Sequence, residues 1–395
     1  MIKIGKEHTG NKNIVIYLVF VFLSNFSFLS SFLSVFLWRK GASLSFVSVC
    51  FLIYQLSKFV FEIPTGFVSD KYSRKFSGVA GMLLLICSYG FLLSDDMALL
   101  LLAFFLKGLG ITFLSGSLES LFVDSLDQKR LMKYNVVERL VFYSALALSA
   151  ASGGLVIQFF GFFDTVVIDI VILGLTLAIV CQFETKPPVP GSGAVLEHMG
   201  VFSAARYAFS NQTVCLLLLM DFANAFSFVA VEDFYSAFLE DFGLSGAAIG
   251  LVIALQLIFS SLFGFFVPRI SARFSRSGIL SVLPVSGALL TILMYLPYAP
   301  LVLVPLVFLL QQILFAVYAP IKYQLFQKSI EPQVRATTLS LQSLMVSLGS
   351  VLFYGVCSML GDLLALRVIL ILALTVTATM LSVVTTLLRK RQLIS

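Results

Sequence analysis

The chain reads as long apolar runs separated by short polar segments. A membrane-spanning helix needs about 20 apolar residues. Twelve stretches reach that length, near 14–38, 43–65, 76–94, 97–123, 137–160, 162–182, 208–230, 246–268, 279–297, 300–321, 336–360 and 364–388. A polar segment, 183–207, holds Pro187, Pro188, Pro190, Gly191 and Gly193 and divides the twelve into six and six. Barrel strands would show short segments of alternating polarity; these runs are continuous, so they predict helices. Lys3, Lys6 and Lys12 precede the first run, which extends from Ile14 to Trp38. That is too long for the core of a signal peptide, so it reads as a first span that stays. The expected fold is an all-α polytopic membrane protein with a six-helix half at 1–182, a linker at 183–207 and a second six-helix half at 208–395.

Composition narrows the class. Of 395 residues, 59% are hydrophobic and 12% charged, and the mean hydropathy is +1.02. A soluble domain carries about 25% charged residues, so this chain cannot cover a water-facing surface. A soluble enzyme, a disordered chain and a disulfide scaffold are excluded. Cys50, Cys87, Cys181, Cys215 and Cys357 lie singly in apolar runs, and His8 and His198 lie far apart in polar segments. No zinc or haem ligand set is evident, no phosphate-binding G-x-x-x-x-G-K-[ST] loop occurs, and G-x-S-x-G is absent. No cofactor, no metal and no enzymatic activity are expected. Lys and Arg set the orientation. With the N-terminus inside, cytoplasmic segments hold 20 of the 26 basic residues, while Arg39, Lys40 and Arg367 lie outside. Both termini and the linker are expected in the cytoplasm, in a bacterial inner membrane. The net charge of +6 follows from that bias and calls for no nucleic acid.

The halves echo each other. The fifth span carries Ser144, Ala147, Ala151 and Gly154 beyond Arg139; the eleventh carries Ser340, Ser343, Ser347 and Ser350 at the same spacing beyond Arg335. Gly66 is expected to end the second span before a basic loop, as Gly264 ends the eighth. Six helices plus six, weakly repeated, is the layout of transporters built from two parallel halves. Residues 66–75 read GFVSDKYSRK, with Gly66, Asp70, Lys71, Arg74 and Lys75 at the positions of G-x-x-x-D-[RK]-x-[GS]-R-[RK]. This resembles the loop between helices 2 and 3 of the major facilitator superfamily, and it stands where that family has it. FEIPTGFVSD at 61–70, SGSLESLFVDSL at 115–126 and RATTLSLQSL at 335–344 resemble bacterial drug or metabolite exporters of that family. The resemblance implies a central site lined by spans 1, 2, 4, 5, 7, 8, 10 and 11, with the 66–75 loop as a conformational latch. Two positions depart from the pattern. Phe104 stands where the family's helix 4 has Arg, with Lys107 one turn on. Ser149 to Gly154 lacks the Pro of the antiporter motif.

Charges inside the membrane single out further candidates, because each costs about 2.5–3.5 kcal/mol on insertion scales. Lys58 and Glu62 share a face of the second span. Glu119 is expected at the depth of Glu62. Glu62, Glu119 and Asp221 are the candidate proton- or ion-coupling groups. Lys58, Lys107, Asn25, Asn224, Gln256, Gln311 and Gln342 are candidates for the substrate cavity. Asp124, Arg139 and Arg335 are candidates for a gate or ion-pair network, an alternative that also takes in Glu62 and Glu119. Asp169 reads as structural. Glu232 and Asp233 are expected near the outer mouth.

The resemblance implies a secondary transporter, exporting a small amphipathic or hydrophobic compound in exchange for protons by alternating access. A nutrient symporter or lipid flippase of the same fold is the alternative. The expected partners are a small-molecule substrate, protons and membrane lipid, with the chain itself a monomer.

Overall fold

The computed structural model describes the backbone of residues 2–115, 117–124, 128–184, 206, 209–296, 300, 302–331 and 335–390. It describes their side chains except at 2–11, 63, 70, 71, 120, 121, 123, 124, 128–133, 135, 229, 230, 335–337 and 340. These residues form helices and turns: α1 (Ile2–Asn25), a 3-10 turn (Ser30–Phe32), α2 (Leu33–Arg39), α3 (Leu44–Lys71), α4 (Arg74–Leu92), α5 (Met97–Leu114), α6 (Ser117–Asp124), α7 (Gln128–Val180), α8 (Gln212–Asp241), α9 (Gly246–Gly264), α10 (Val267–Arg273), α11 (Arg276–Met294), α12 (Leu303–Ser329), α13 (Arg335–Leu360) and α14 (Leu366–Lys390). No strand occurs among the described residues.

Eleven helical segments among the described residues are long and apolar enough to cross a membrane. One of them, Val136–Val180, runs for 45 residues, more than two spans' worth. Gly161, at φ 81° and ψ 175°, interrupts it; only glycine adopts that backbone freely. The fifth and sixth expected spans are therefore the two arms of α7, and the twelve-span pattern is complete. The surface between helix ends is apolar, with Val171, Leu289 and Leu372 each more than half exposed. In water such a surface would aggregate; in lipid it is the contact layer.

The chain forms two compact units. Unit 1 comprises Met1–Gly41, Cys50–Ala194 and Gly243–Ala254; unit 2 comprises Ala42–Val49, Val195–Phe242 and Leu255–Ser395. In unit 1, α4 packs on α5 and α7, and α1 on α7. In unit 2, α11 packs on α12 and α14, and α8 on α13 and α14. The same partnerships recur six spans on. The caps recur too: Ser73 accepts from Phe76 N at 2.9 Å at the start of α4, and Ser275 from Gly278 N at 3.1 Å at the start of α11. Each serine satisfies an orphan amide of a helix's first turn. Each unit also takes in a short segment from the other half of the sequence. Within unit 1 the first turns of α9 lie on α7, with Gly250 against the Ala150 carbonyl and Gly154 against Gly246; a Cβ on either of Gly154 or Gly250 would fall within 2.2 Å of a backbone oxygen.

Three expectations change. The first span is not one helix. Residues 26–29 leave the helix between α1 and the 3-10 turn, because Asp169 of α7 offers a better partner than the helix does. Its carboxylate accepts from Phe28 N at 3.0 Å, Leu29 N at 3.0 Å and Ser27 Oγ at 2.7 Å. Irregular backbone at membrane depth survives only where protein satisfies it. The fourth span is likewise two helices, α5 and α6. Finally, α3 does not end at Gly66 but continues to Lys71. Gly66 is exposed, and a Cβ there would meet nothing within 4 Å, so it makes neither a close approach nor a sharp exit. Gly264 does end α9.

Asp169 thus holds the bend of the first span. Asp169→Ala leaves one buried and one half-buried amide without an acceptor, at up to about 1–3 kcal/mol each, whereas Asp169→Asn keeps one acceptor oxygen. Thermal unfolding in detergent is expected to show a clear drop in Tm for the alanine variant and a smaller one for asparagine. An alanine variant as stable as the parent would remove Asp169 from this role.

Candidate functional site

In unit 2 the polar groups gather along one helix pair. α8 and α12 run antiparallel, and their polar residues face each other in register. Lys322 donates to Asp221. Next, Asn224 Nδ2 donates to the Tyr318 hydroxyl at 3.1 Å. Further along, Gln312 Nε2 donates to Glu232 Oε1 at 2.9 Å. From Asp221 to Glu232 the ladder spans eleven residues of α8, about 16 Å at 1.5 Å per residue. α13 closes it from the side: Gln342 Nε2 donates to Asp221 Oδ2 at 2.9 Å, and Tyr354 donates to Asp233. Asp221 and Lys322 are only 7% and 6% exposed, so both oxygens of a buried carboxylate are engaged, one by a cation. A buried ion pair is tolerated when its geometry is good and its remaining atoms are hydrogen-bonded.

Between the rungs lies a small pocket lined by Asn224, Phe228, Gln311, Phe315 and Tyr318, with Pro284 and Gly287 of α11. Its room is on the order of one water molecule. Asn224 Oδ1 and Gln311 Oε1 are buried and accept no hydrogen bond among the described residues. The pocket presents two acceptors to whatever enters.

Unit 1 is built differently. α3 and α5 cross backbone to backbone at Gly108, where a Cβ would stand 2.5 Å from the Tyr54 carbonyl oxygen and 2.8 Å from Ser57 Cβ. Ser57 Oγ donates to the Phe105 carbonyl at 3.0 Å, and Thr65 Oγ1 to the Thr112 carbonyl at 3.2 Å. The crossing brings Lys107, next to Gly108, towards α3. Its ammonium lies 5.9 Å from the Tyr54 ring centre and 5.6 Å from that of Tyr89. Lys58, one turn after Tyr54, lies 5.2 Å from the same Tyr54 ring. Two cations thus converge on one aromatic ring near the middle of their helices. The Tyr89 hydroxyl meets Ser27 Oγ at 3.1 Å, which links Lys107's second ring to the bend held by Asp169. Cation–π contact is worth about 0.5–2 kcal/mol, less than the insertion cost of a mid-membrane lysine.

The remaining candidates scatter. Asn25 donates to the Val21 carbonyl one turn back, at 2.8 Å, so its amide serves its own helix. Gln256 is buried in α9. Phe104 packs edge-on against Phe51 at 5.5 Å, a core contact. Glu62 is half-buried and forms no ion pair with Lys58. Glu119 and Arg139 are exposed and act electrostatically on Glu138, which also faces Tyr17. Among the described residues no ion pair joins Glu62, Glu119 and Arg139. In the 66–75 loop, Lys75 donates to the Phe183 carbonyl at the end of α7, at 3.0 Å, a favourable place for a cation. Arg74 starts α4. The side chains of Asp70, Lys71, Asp124 and Arg335 lie outside the described residues.

Sequence reasoning missed Lys322, Tyr318, Tyr54 and Glu138. Lys322 carried a usable signal: with Lys58 and Lys107 it is one of three basic residues left over once the two faces of the membrane are counted.

The model of the Major Facilitator Superfamily matches residues 15–354. An uncharacterized MFS-type transporter, YxaM of Bacillus subtilis (strain 168), is 21% identical over 328 residues, 80% of this chain and 82% of that one. Among solved structures, nucleoside transporter NupG superposes with TM-score 0.74 at 12% identity over 97% of this chain and 98% of its own. A D-xylose-proton symporter also reaches 0.74 at 12%, over 95% and 96%. A bacterial homologue of the iron transporter ferroportin reaches 0.73 at 15% over 96% and 98%. At these identities the structures establish the fold.

The Asp221–Lys322 pair is open to a double-mutant cycle. Removing one partner strands a buried charge, so Asp221→Leu or Lys322→Met alone is expected to cost about 3–5 kcal/mol of stability, and the double variant far less. Additive losses would mean that the two side chains do not interact. At the other centre, Gly108→Ala is expected to destabilise by about 1–3 kcal/mol, because its Cβ meets backbone; an unchanged Tm would refute the close crossing.

Proposed function

The chain belongs to the Major Facilitator Superfamily, and we propose that it exports a small amphipathic compound in exchange for protons, by alternating access, with Asp221 as the coupling carboxylate. It is a multi-pass membrane protein and a transporter, not an enzyme. The observation that carries the coupling reading is the clamp in unit 2: one buried carboxylate ties α8 to α12 through Lys322 and to α13 through Gln342.

While Asp221 is ionised, separating it from Lys322 leaves two uncompensated charges in a low-dielectric interior, and the clamp stays shut. A proton on Asp221 removes the attraction and turns an acceptor oxygen into a donor, which frees Lys322 and loosens three helices at once. Loss of the proton restores the clamp. Proton occupancy and helix packing are therefore linked, and that linkage is what an exchanger needs. One proton moving inward is worth about 2.3 kcal/mol per 100 mV, or about fiftyfold of substrate gradient at 1.4 kcal/mol per decade.

Export is favoured by the likeness of 61–70, 115–126 and 335–344 to exporter segments. The excess of basic residues in one set of loops supports an inner-membrane protein with both termini in the cytoplasm.

Purified protein in sealed liposomes with a lumenal pH dye tests the reading. With an acid-loaded lumen, external substrate from a panel of amphipathic compounds is expected to drive lumenal alkalinisation. Acidification instead would mean symport. The double variant Asp221→Leu/Lys322→Met, which keeps the packing without a titrating carboxylate, is expected to lose the pH signal. A signal of parental size in that variant removes Asp221 from coupling.

A further inference from the structure

We propose that the pocket between α8, α11 and α12 is a cargo subsite for an uncharged hydrogen-bond donor, a hydroxyl or an amide N–H, held by the amide oxygens of Asn224 and Gln311. The inference deepens the transport reading and rests on it: it names the polar head of the compound carried.

Two acceptors bound one small space. Asn224 and Gln311 are only 8% and 3% exposed, and both line the pocket. Asn224 uses its nitrogen on the Tyr318 hydroxyl, which leaves Oδ1. Neither that oxygen nor Oε1 of Gln311 has a partner among the described residues. A buried acceptor left unpaired lowers stability. Two of them around one cavity are a standing penalty that a donor from the cargo removes.

The backbone keeps the space open. Pro284 and Gly287 are poor helix formers in the middle of α11, and both line the pocket. Glycines elsewhere in this chain serve close crossings, as Gly108 and Gly349 do. Gly287 does not. A Cβ there would meet nothing within 4 Å, although the residue is buried. Among the described residues it is the only buried glycine with such room; Gly66, Gly90, Gly174 and Gly264 are equally open but exposed. The absent side chain at 287 therefore makes space rather than contact.

Size and charge select the occupant. The room is about that of one water molecule, which a hydroxyl or the nitrogen end of an amide matches and a phosphate or a sugar ring exceeds. No charged residue is among the described lining. An anion would face two acceptor oxygens. An ammonium would find no carboxylate in the wall: Asp221, one turn from Asn224, accepts from Lys322 and Gln342, and Glu232 accepts from Gln312. It would carry the insertion cost of a charge without compensation. A neutral donor meets neither obstacle. Phe228, Phe315 and Tyr318 complete the lining. Phe315 is 41% exposed, so its ring offers the apolar body of an amphipathic cargo a surface to lie on.

The test uses the full chain in detergent and probes that share one apolar body: 4-phenylbutanol, 4-phenylbutanamide, 1-fluoro-4-phenylbutane, 4-phenylbutylammonium and 4-phenylbutyrate. They are titrated by calorimetry, with empty micelles as the blank. The alcohol and the amide are expected to bind about tenfold or more tighter than the two ions and than the fluoride, which has nearly the hydroxyl's shape and no donor; that is the increment of one hydrogen bond to a buried acceptor. Gln311→Met keeps the length of the side chain without its oxygen. It is expected to bring the alcohol down to the level of the fluoride while the Tm holds or rises, because an unpaired acceptor has gone. Gly287→Ala is expected to keep the Tm and to weaken the alcohol and the amide about tenfold, because its methyl group takes the room. A fluoride that binds as well as the alcohol overturns the proposal. So do tighter binding of either ion, no binding of any probe, and a preference for the alcohol that survives both substitutions. A Gln311→Met protein that melts lower and still binds the alcohol like the parent overturns it too, and assigns the pocket to a resident water. The outcome is separable from the coupling reading. Donor-selective binding without substrate-linked proton flux sinks the coupling and keeps this site; proton flux with no preference for donors does the reverse.

Discussion

Polar groups buried in this protein depend on the chain itself for partners, because the medium around most of it offers none. The bend at residues 26–29 is possible only because Asp169 takes two amides and a hydroxyl. Threonines deep in the helices hand their hydroxyls back to carbonyls one turn earlier, as Thr165 does to Gly161 at 2.6 Å and Thr291 to Gly287 at 2.7 Å. The Asp221 carboxylate has both oxygens taken. The same rule that shapes the fold therefore locates the chemistry, since a charge that is kept despite its cost sits where partners converge.

Small residues make that convergence possible. Hydrophobic burial does little to pull helices together in lipid, so association depends on close packing and hydrogen bonds. Gly108 lets α3 and α5 touch by their backbones, and Gly349 lets α13 approach the Phe222 carbonyl of α8. At the first crossing the close approach delivers Lys107 to Tyr54. At the second it lies two turns along α13 from Gln342, the residue that reaches Asp221. Replacing a glycine at such a point moves a charged group some distance away, so packing and chemistry are not independent in this molecule.

The two units share a packing scheme but not a chemistry. Unit 1 places two cations around an aromatic ring. Unit 2 places an acid–base pair, a second glutamate and several amides along one helix interface. A duplicated packing scheme thus carries divergent polar groups, each half with its own set of partners.

The number of spans, the all-helical class, the confinement of charge and the placing of an acid, Asp221, inside a span were legible in the sequence, because they depend on hydropathy and insertion cost, which are local properties of a run of residues. Even Gly161 could be read as a boundary between two runs. The tertiary structure decided the rest. Ser27 and Asp169 are 142 residues apart, and Asp221 and Lys322 are 101 apart; no periodicity along the chain connects them. Lys58 and Glu62 looked like partners by helical spacing, yet Lys58 turned to the Tyr54 ring with Lys107. Gly66 matched a family motif and proved to be an open position on a continuing helix. Which polar groups meet is set by the rotation and closest approach of helices, and those are fixed by side-chain packing across the whole unit rather than by any segment alone.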